Sequence, residues 1–160
     1  MAASPAIGSI APDFTLPGTV LKDGRPVRGE YTLSAHRGHP LLLVFYPGDE
    51  TPGCTAQLCE YSSGLGSLSA LGAEVWAVSR QDVVSHEHFA RKEGLELPLL
   101  ADETGSVVSA YGVSLAGVGT RRSEFLIDAD GVVRWKRVGI LGVHWSSVDA
   151  LHDQLALVSP

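Results

Sequence analysis

The stretch FYPGDETPGCTAQLCEY carries both cysteines of the chain, Cys54 and Cys59, five positions apart. That spacing is wider than the CxxC of a dithiol redox motif or a zinc knuckle. Thr51-Pro52-Gly53-Cys54 reads as a helix start: threonine suits the N-cap, and proline is tolerated at the first helical position because its missing N–H would have no partner there. Cys54 then falls in the first turn, where unpaired N–H groups and the positive end of the helix dipole favour a thiolate, the nucleophilic form. Asp49 and Glu50 would oppose a second negative charge if they pointed inward, so a cation is needed from elsewhere.

Plainer readings stand beside this one. Both thiols could be buried small apolar groups. Zinc would need distant partners, because none of the six histidines lies near the pair in sequence. Thr51 can be a cap alone, Pro47 and Pro52 loop stiffeners, and Arg122 beside Arg121 a solvated pair. His86 and His88 flank Glu87, so they point to different helix faces and read as structural or solvated. The glycine pairs Gly64-Leu65-Gly66 and Gly117-Val118-Gly119 lack the context of a nucleotide loop and read as chain geometry.

The elements that must position Cys54 follow from periodicity. Pro40–Tyr46 and Ala73–Ser79 are short continuous apolar runs, which suits strands of a mainly parallel sheet covered on both faces. Between them, Pro52 to about Ala70 has helical composition, making a βαβ unit. A second helix is predicted from an Asp82 cap to Lys92 with Gly94 as its stop, a shorter one from Thr104 to Tyr111, and a last one from Ser146 to Leu157. Glu124–Asp128, the Asp130-Gly131 turn and Val132–Val138 predict a β-hairpin.

At 160 residues with 44% apolar side chains the chain can bury a sizeable core, so one α/β domain over 1–160 is expected, with helices on both faces of a central sheet. The net charge of −6 comes from scattered acids, without the blocks that suggest nucleic-acid or membrane binding. No basic and apolar leader opens the sequence, and the longest apolar stretch is far below spanning length, so a cytoplasmic protein is expected. Two cysteines in such a domain are either inert or redox-active.

The residues also carry a family resemblance. Pro47-Gly48-Asp49-Glu50-Thr51-Pro52-Gly53-Cys54 fits the PxxxTxxC motif of peroxiredoxins, and Cys59 at the fifth following position resembles the peroxiredoxin Q or bacterioferritin comigratory protein subgroup. IAPDFTL (10–16), SHEHFARK (85–92), LPLLAD (97–102) and RSEFLID (122–128) extend the similarity over nearly the whole chain. The chain departs from the pattern at Gly48, where many members carry lysine, and at Tyr61-Ser62, where many carry an aromatic residue followed by arginine.

The resemblance implies a thioredoxin-like fold with a central mixed sheet, and a peroxidase that reduces hydrogen peroxide and organic hydroperoxides without a cofactor or metal. It makes Cys54 the peroxidatic cysteine and Cys59 the resolving one, joined in an intramolecular disulfide that a thioredoxin-type partner reduces. Thr51 would hydrogen-bond thiolate and peroxide, Arg122 would supply the cation, and Pro47 would shield the sulfur from water. A monomer, or at most a weak dimer, is expected. Two rival functions remain: a thiol-disulfide oxidoreductase acting on proteins, and a redox sensor oxidised once without turnover. Residues five apart in an α-helix are separated by about 7.5 Å of rise and roughly 140° of rotation, some 8 to 9 Å between Cα atoms. Disulfides rarely bridge more than about 7 Å, so a Cys54–Cys59 bond predicts that the helix must open.

Overall fold

The computed structural model describes residues 3–115, 119–139 and 144–158. In chain order it contains β1 (Thr15–Lys22), β2 (Arg25–Thr32), a 3-10 turn (Leu33–His36), β3 (Leu41–Phe45), α1 (Pro52–Ser63), α2 (Leu65–Ser69), β4 (Glu74–Ser79) and α3 (Val83–Glu93). These are followed by β5 (Leu99–Ala101), α4 (Ser106–Ala110), β6 (Ser114–Leu115), β7 (Gly119–Thr120), β8 (Ser123–Ile127), β9 (Val133–Val138) and α5 (Val148–Val158). Part of the Gly117-Val118-Gly119 pair lies outside the described residues.

Among the described residues, seven strands form one sheet in the order β2-β1-β5-β4-β3-β8-β9, and β6 pairs with β7 separately. The centre, β5-β4-β3, is parallel; every other neighbour is antiparallel. The sheet is the mixed one that the family resemblance implies, rather than the mainly parallel one that the apolar runs alone suggest. Burial on both faces, which those runs do signal, needs helices above and below but not parallel partners on both sides. Side chains alternate between two cores. One holds Leu42, Val44, Val75 and Ala77 against Leu58 of α1, Leu68 of α2, Phe89 of α3 and Leu155 of α5; the other holds Leu41, Leu43, Phe45 and Val78 against Val107 and Val108 of α4.

The helix expected from Pro52 to Ala70 is interrupted at Gly64, which leaves two helices. A Cβ at Gly64 would lie 2.6 Å from Val148 Cγ2, so the break leaves room for Val148 of α5. Asp82 caps α3 by accepting from the Ser85 N–H at 2.8 Å, and Gly94 ends it at a φ of 66°. The β1–β2 hairpin, absent from the sequence reading, turns through Asp23 at φ 53° and Gly24 at φ 75°, the left-handed pair of a two-residue turn.

Candidate active site

Cys54 lies at the third position of α1, beyond the carboxyl end of β3, and its side chain is wholly buried. Arg122 enters from just before β8 and donates from Nη2 to Cys54 Sγ at 3.3 Å. Its other terminal nitrogen donates to Gln57 Oε1, and its Cζ sits 5.4 Å from the centroid of the Trp145 ring, in cation–π contact. Gly53 makes room for this: a Cβ there would stand 3.2 Å from Arg122 Nη2. Arg122 is 4% exposed, against the solvated pair that composition alone suggested, and a guanidinium keeps its charge when buried. Cys54 therefore faces the helix N-terminus and a fixed cation together.

A polar chain continues along the buried face of α1. Gln57 Nε2 donates to Tyr61 Oη at 3.5 Å, and the Tyr61 hydroxyl lies 2.7 Å from both Glu124 Oε1 and the Ser146 carbonyl. Glu124, 1% exposed on β8, also accepts from the Ser146 N–H and hydroxyl, each at 2.8 Å. Burial and the Glu124 charge push the Tyr61 hydroxyl far above its ordinary value, so it stays a donor. These contacts fasten the middle and end of α1 to the sheet and to the segment before α5. From sequence, Gln57 and Trp145 carry no signal of a site role, Glu124 marks only the start of a strand, and Tyr61 is only a departure from the family pattern.

Thr51 occupies the N-cap with an extended backbone, but its side chain does not cap; the hydroxyl donates to the Gly48 carbonyl at 3.1 Å. The expected cap is thus corrected: the hydroxyl closes its own loop, and the residue is exposed. Pro47 is half-buried at the start of that loop. Glu50 holds a φ of 60° there, an uncommon conformation for a residue with a Cβ, and its carboxylate meets Lys92 Nζ at 3.0 Å.

Asp49 does point inward, yet toward α3. Its Oδ2 lies 2.7 Å from His86 Nδ1 and accepts from the Ser85 hydroxyl at 2.7 Å, while Oδ1 accepts from Tyr46 at 2.6 Å. Burial alone would raise the Asp49 carboxyl, but His86, Tyr46 and Ser85 outweigh it and hold the group below its usual value. The charge is spent on these donors, and the loop carrying Pro47 and Thr51 is tied to α3. His86, buried, is structural; His88 is exposed, 3.8 Å from Glu50.

Cys59 is half-buried on α1, and its thiol donates to Glu93 Oε2 at 3.9 Å. Cys54 and Cys59 are both free in an intact helix. Among the described residues no cluster of three or more metal-ligating side chains is present.

Residues 7–136 match the model of the AhpC/TSA family. The chain belongs to that family. Peroxiredoxin Q of rice, a chloroplastic protein, is 40% identical over 130 residues, covering 80% of this chain and 57% of the rice protein. The chain thus spans somewhat over half the length of such plant members. The solved bacterioferritin comigratory protein of Xanthomonas campestris, described for its alkyl peroxide reduction activity, superposes with a TM-score of 0.76 at 30% identity over 91% of this chain and 92% of that one. A reduced 2-Cys peroxiredoxin of Plasmodium vivax superposes with a TM-score of 0.86 over 95% of both chains; at 24% identity it speaks to the fold, which is the thioredoxin-like peroxiredoxin fold. Mixed sheet and flanking helices agree with that membership.

Proposed function

We propose that the protein is a thiol-dependent peroxidase working through two cysteines. The observation that carries this is the Arg122 guanidinium 3.3 Å from a buried sulfur in the first turn of α1. The Cys54 thiolate attacks one peroxide oxygen, the S–O bond forms as the O–O bond breaks, and water or an alcohol leaves after taking a proton. Negative charge grows on the departing oxygen, so donors already aimed at that region lower the barrier. Arg122 is placed to bond both sulfur and peroxide. Thr51 serves the same space once its hydroxyl turns from Gly48, and Pro47 walls the sulfur from water.

The sulfenic acid left on Cys54 then condenses with Cys59, the other cysteine of the chain, and α1 opens to let them meet. Hydrogen peroxide and organic hydroperoxides are the substrates. A thioredoxin-type protein reduces the disulfide, the acting unit is a monomer, and two free thiols suit a reducing compartment such as the cytoplasm. The test is peroxide consumption by the purified protein with a thioredoxin system, compared with Cys54→Ser. Catalytic consumption lost in the variant supports the proposal. One equivalent of oxidation without turnover supports a redox sensor instead, and disulfide exchange without peroxide loss an oxidoreductase acting on proteins.

A further inference from the structure

We propose that Glu93 is a specificity-determining residue of this cycle: by accepting the Cys59 S–H it keeps the second thiol unreactive while α1 is folded, and α1 opening releases it. The proposal rests on the reading of Cys59 as the resolving cysteine.

The two thiols sit in opposite electrostatic settings on one helix. Cys54 faces the helix N-terminus and Arg122; Cys59, more than a turn further on, faces a carboxylate at the last residue of α3. Burial, the Glu93 charge and the hydrogen bond to it each push the Cys59 thiol above its ordinary value. The other charged groups on the neighbouring segments are either bonded elsewhere or exposed to water. Glu60 on α1 accepts the Val148 N–H at 3.2 Å, Lys92 on α3 binds Glu50, and Glu96 on the segment leading to β5 is exposed, with its N–H bonded to Ser62 Oγ at 2.9 Å. The carboxylate touching Cys59 is that of Glu93.

Because the thiolate is the attacking form, a thiol held by Glu93 is a poor nucleophile. Opening α1 separates Cys59 from Glu93, returns it to water and carries it toward Cys54 in one motion. Its sulfur then attacks the Cys54 sulfenic sulfur; the S–S bond forms, the S–O bond breaks, and the departing hydroxide takes the proton that Cys59 released, leaving as water. The sulfenic acid supplies the oxidising equivalents. The same device leaves Cys54 as the peroxide-reactive thiol of the reduced protein.

The test uses the full chain with Cys54→Ser, in which Cys59 is the remaining thiol, and follows iodoacetamide alkylation against pH. Glu93→Gln should move the profile to lower pH and speed alkylation at pH 8 by about threefold to tenfold. Glu96→Gln should leave it in place. An unchanged profile in Glu93→Gln, or equal shifts in both variants, overturns the proposal. In the protein with both cysteines, Glu93→Gln should also form the peroxide-induced disulfide faster. If no disulfide forms in any variant, the resolving role of Cys59 fails, and the role of Glu93 in the peroxidase cycle falls with it. Alkylation still separates that outcome from the absence of any Glu93 effect on the thiol.

Discussion

Tyr61→Phe isolates the fastening of α1. The phenol hydroxyl stands 2.7 Å from a buried carboxylate oxygen and 2.7 Å from a backbone carbonyl, and the ring is wholly buried. Removing the oxygen keeps the packing and deletes a hydrogen bond to a charged group, a contact that contributes about 1.5–3 kcal/mol, along with the contact to the Ser146 carbonyl and the longer bond accepted from Gln57 Nε2. Glu124 keeps its two bonds from Ser146, so no stranded charge adds to the loss. If the bond is broken on opening, the open form of α1 should become roughly ten to a hundred times more populated, at about 1.4 kcal/mol per factor of ten. Urea unfolding of the reduced protein measures the global loss, and amide exchange over 60–64 the local one. Peroxide-induced disulfide formation, followed through the fluorescence of Trp145 above Arg122, should accelerate. A loss of stability under about 0.5 kcal/mol, the ordinary range of surface substitutions, with unchanged exchange would refute the view that this contact holds the helix shut.

Other outcomes follow from the same contacts. Arg122→Ala should slow the peroxide step by about a hundredfold, the usual cost of one aimed donor, while Arg121→Ala changes it little; stopped-flow oxidation of Cys54 measures both. Cys59→Ser should keep the first peroxide equivalent and lose thioredoxin-dependent turnover, read by NADPH consumption. Asp49, held below the ordinary aspartate value of 3.8, contributes stability that is present above that value and lost as pH falls through the folded one. Asp49→Asn should therefore flatten the acid limb of a stability–pH curve below about pH 4. Cys59 has the opposite sign: its raised value means that stability of the closed helix is complete below the ordinary thiol value, about 8.5, and declines as pH rises through the folded one. Amide exchange in α1 should quicken on that alkaline side in the reduced protein, and more slowly with pH in Cys59→Ser.

The parts of the fold legible in the sequence are those with strong local chemistry. β3 and β4 announce themselves as apolar runs, and α3 is bracketed by the Asp82 cap and Gly94. The Asp130-Gly131 turn marks β8 and β9. The β1–β2 hairpin escaped because Pro17, Gly18, Pro26 and Gly29 break its alternation, although Asp23-Gly24 was a turn signal in plain view. Thr51 and Arg122 stand out in the sequence through the family resemblance, and what Thr51 bonds depends on a loop no periodicity describes. Glu124 was detectable: a carboxylate inside an apolar strand must find donors, and Tyr61 and Ser146 supply them across distances only the fold closes.

The complete burial of Cys54 carries a further consequence for what the reduced protein ignores. Thiol–disulfide exchange requires three sulfurs in line, two of them carried on another protein or on a bulky small disulfide. A sulfur with no exposed surface offers no such approach while α1 is closed. On the proposed peroxidase reading, a peroxide has to bring one oxygen to the sulfur, whereas a disulfide has to wait until the helix is undone. Burial of this kind shields Cys54 from other disulfides for as long as α1 stays closed.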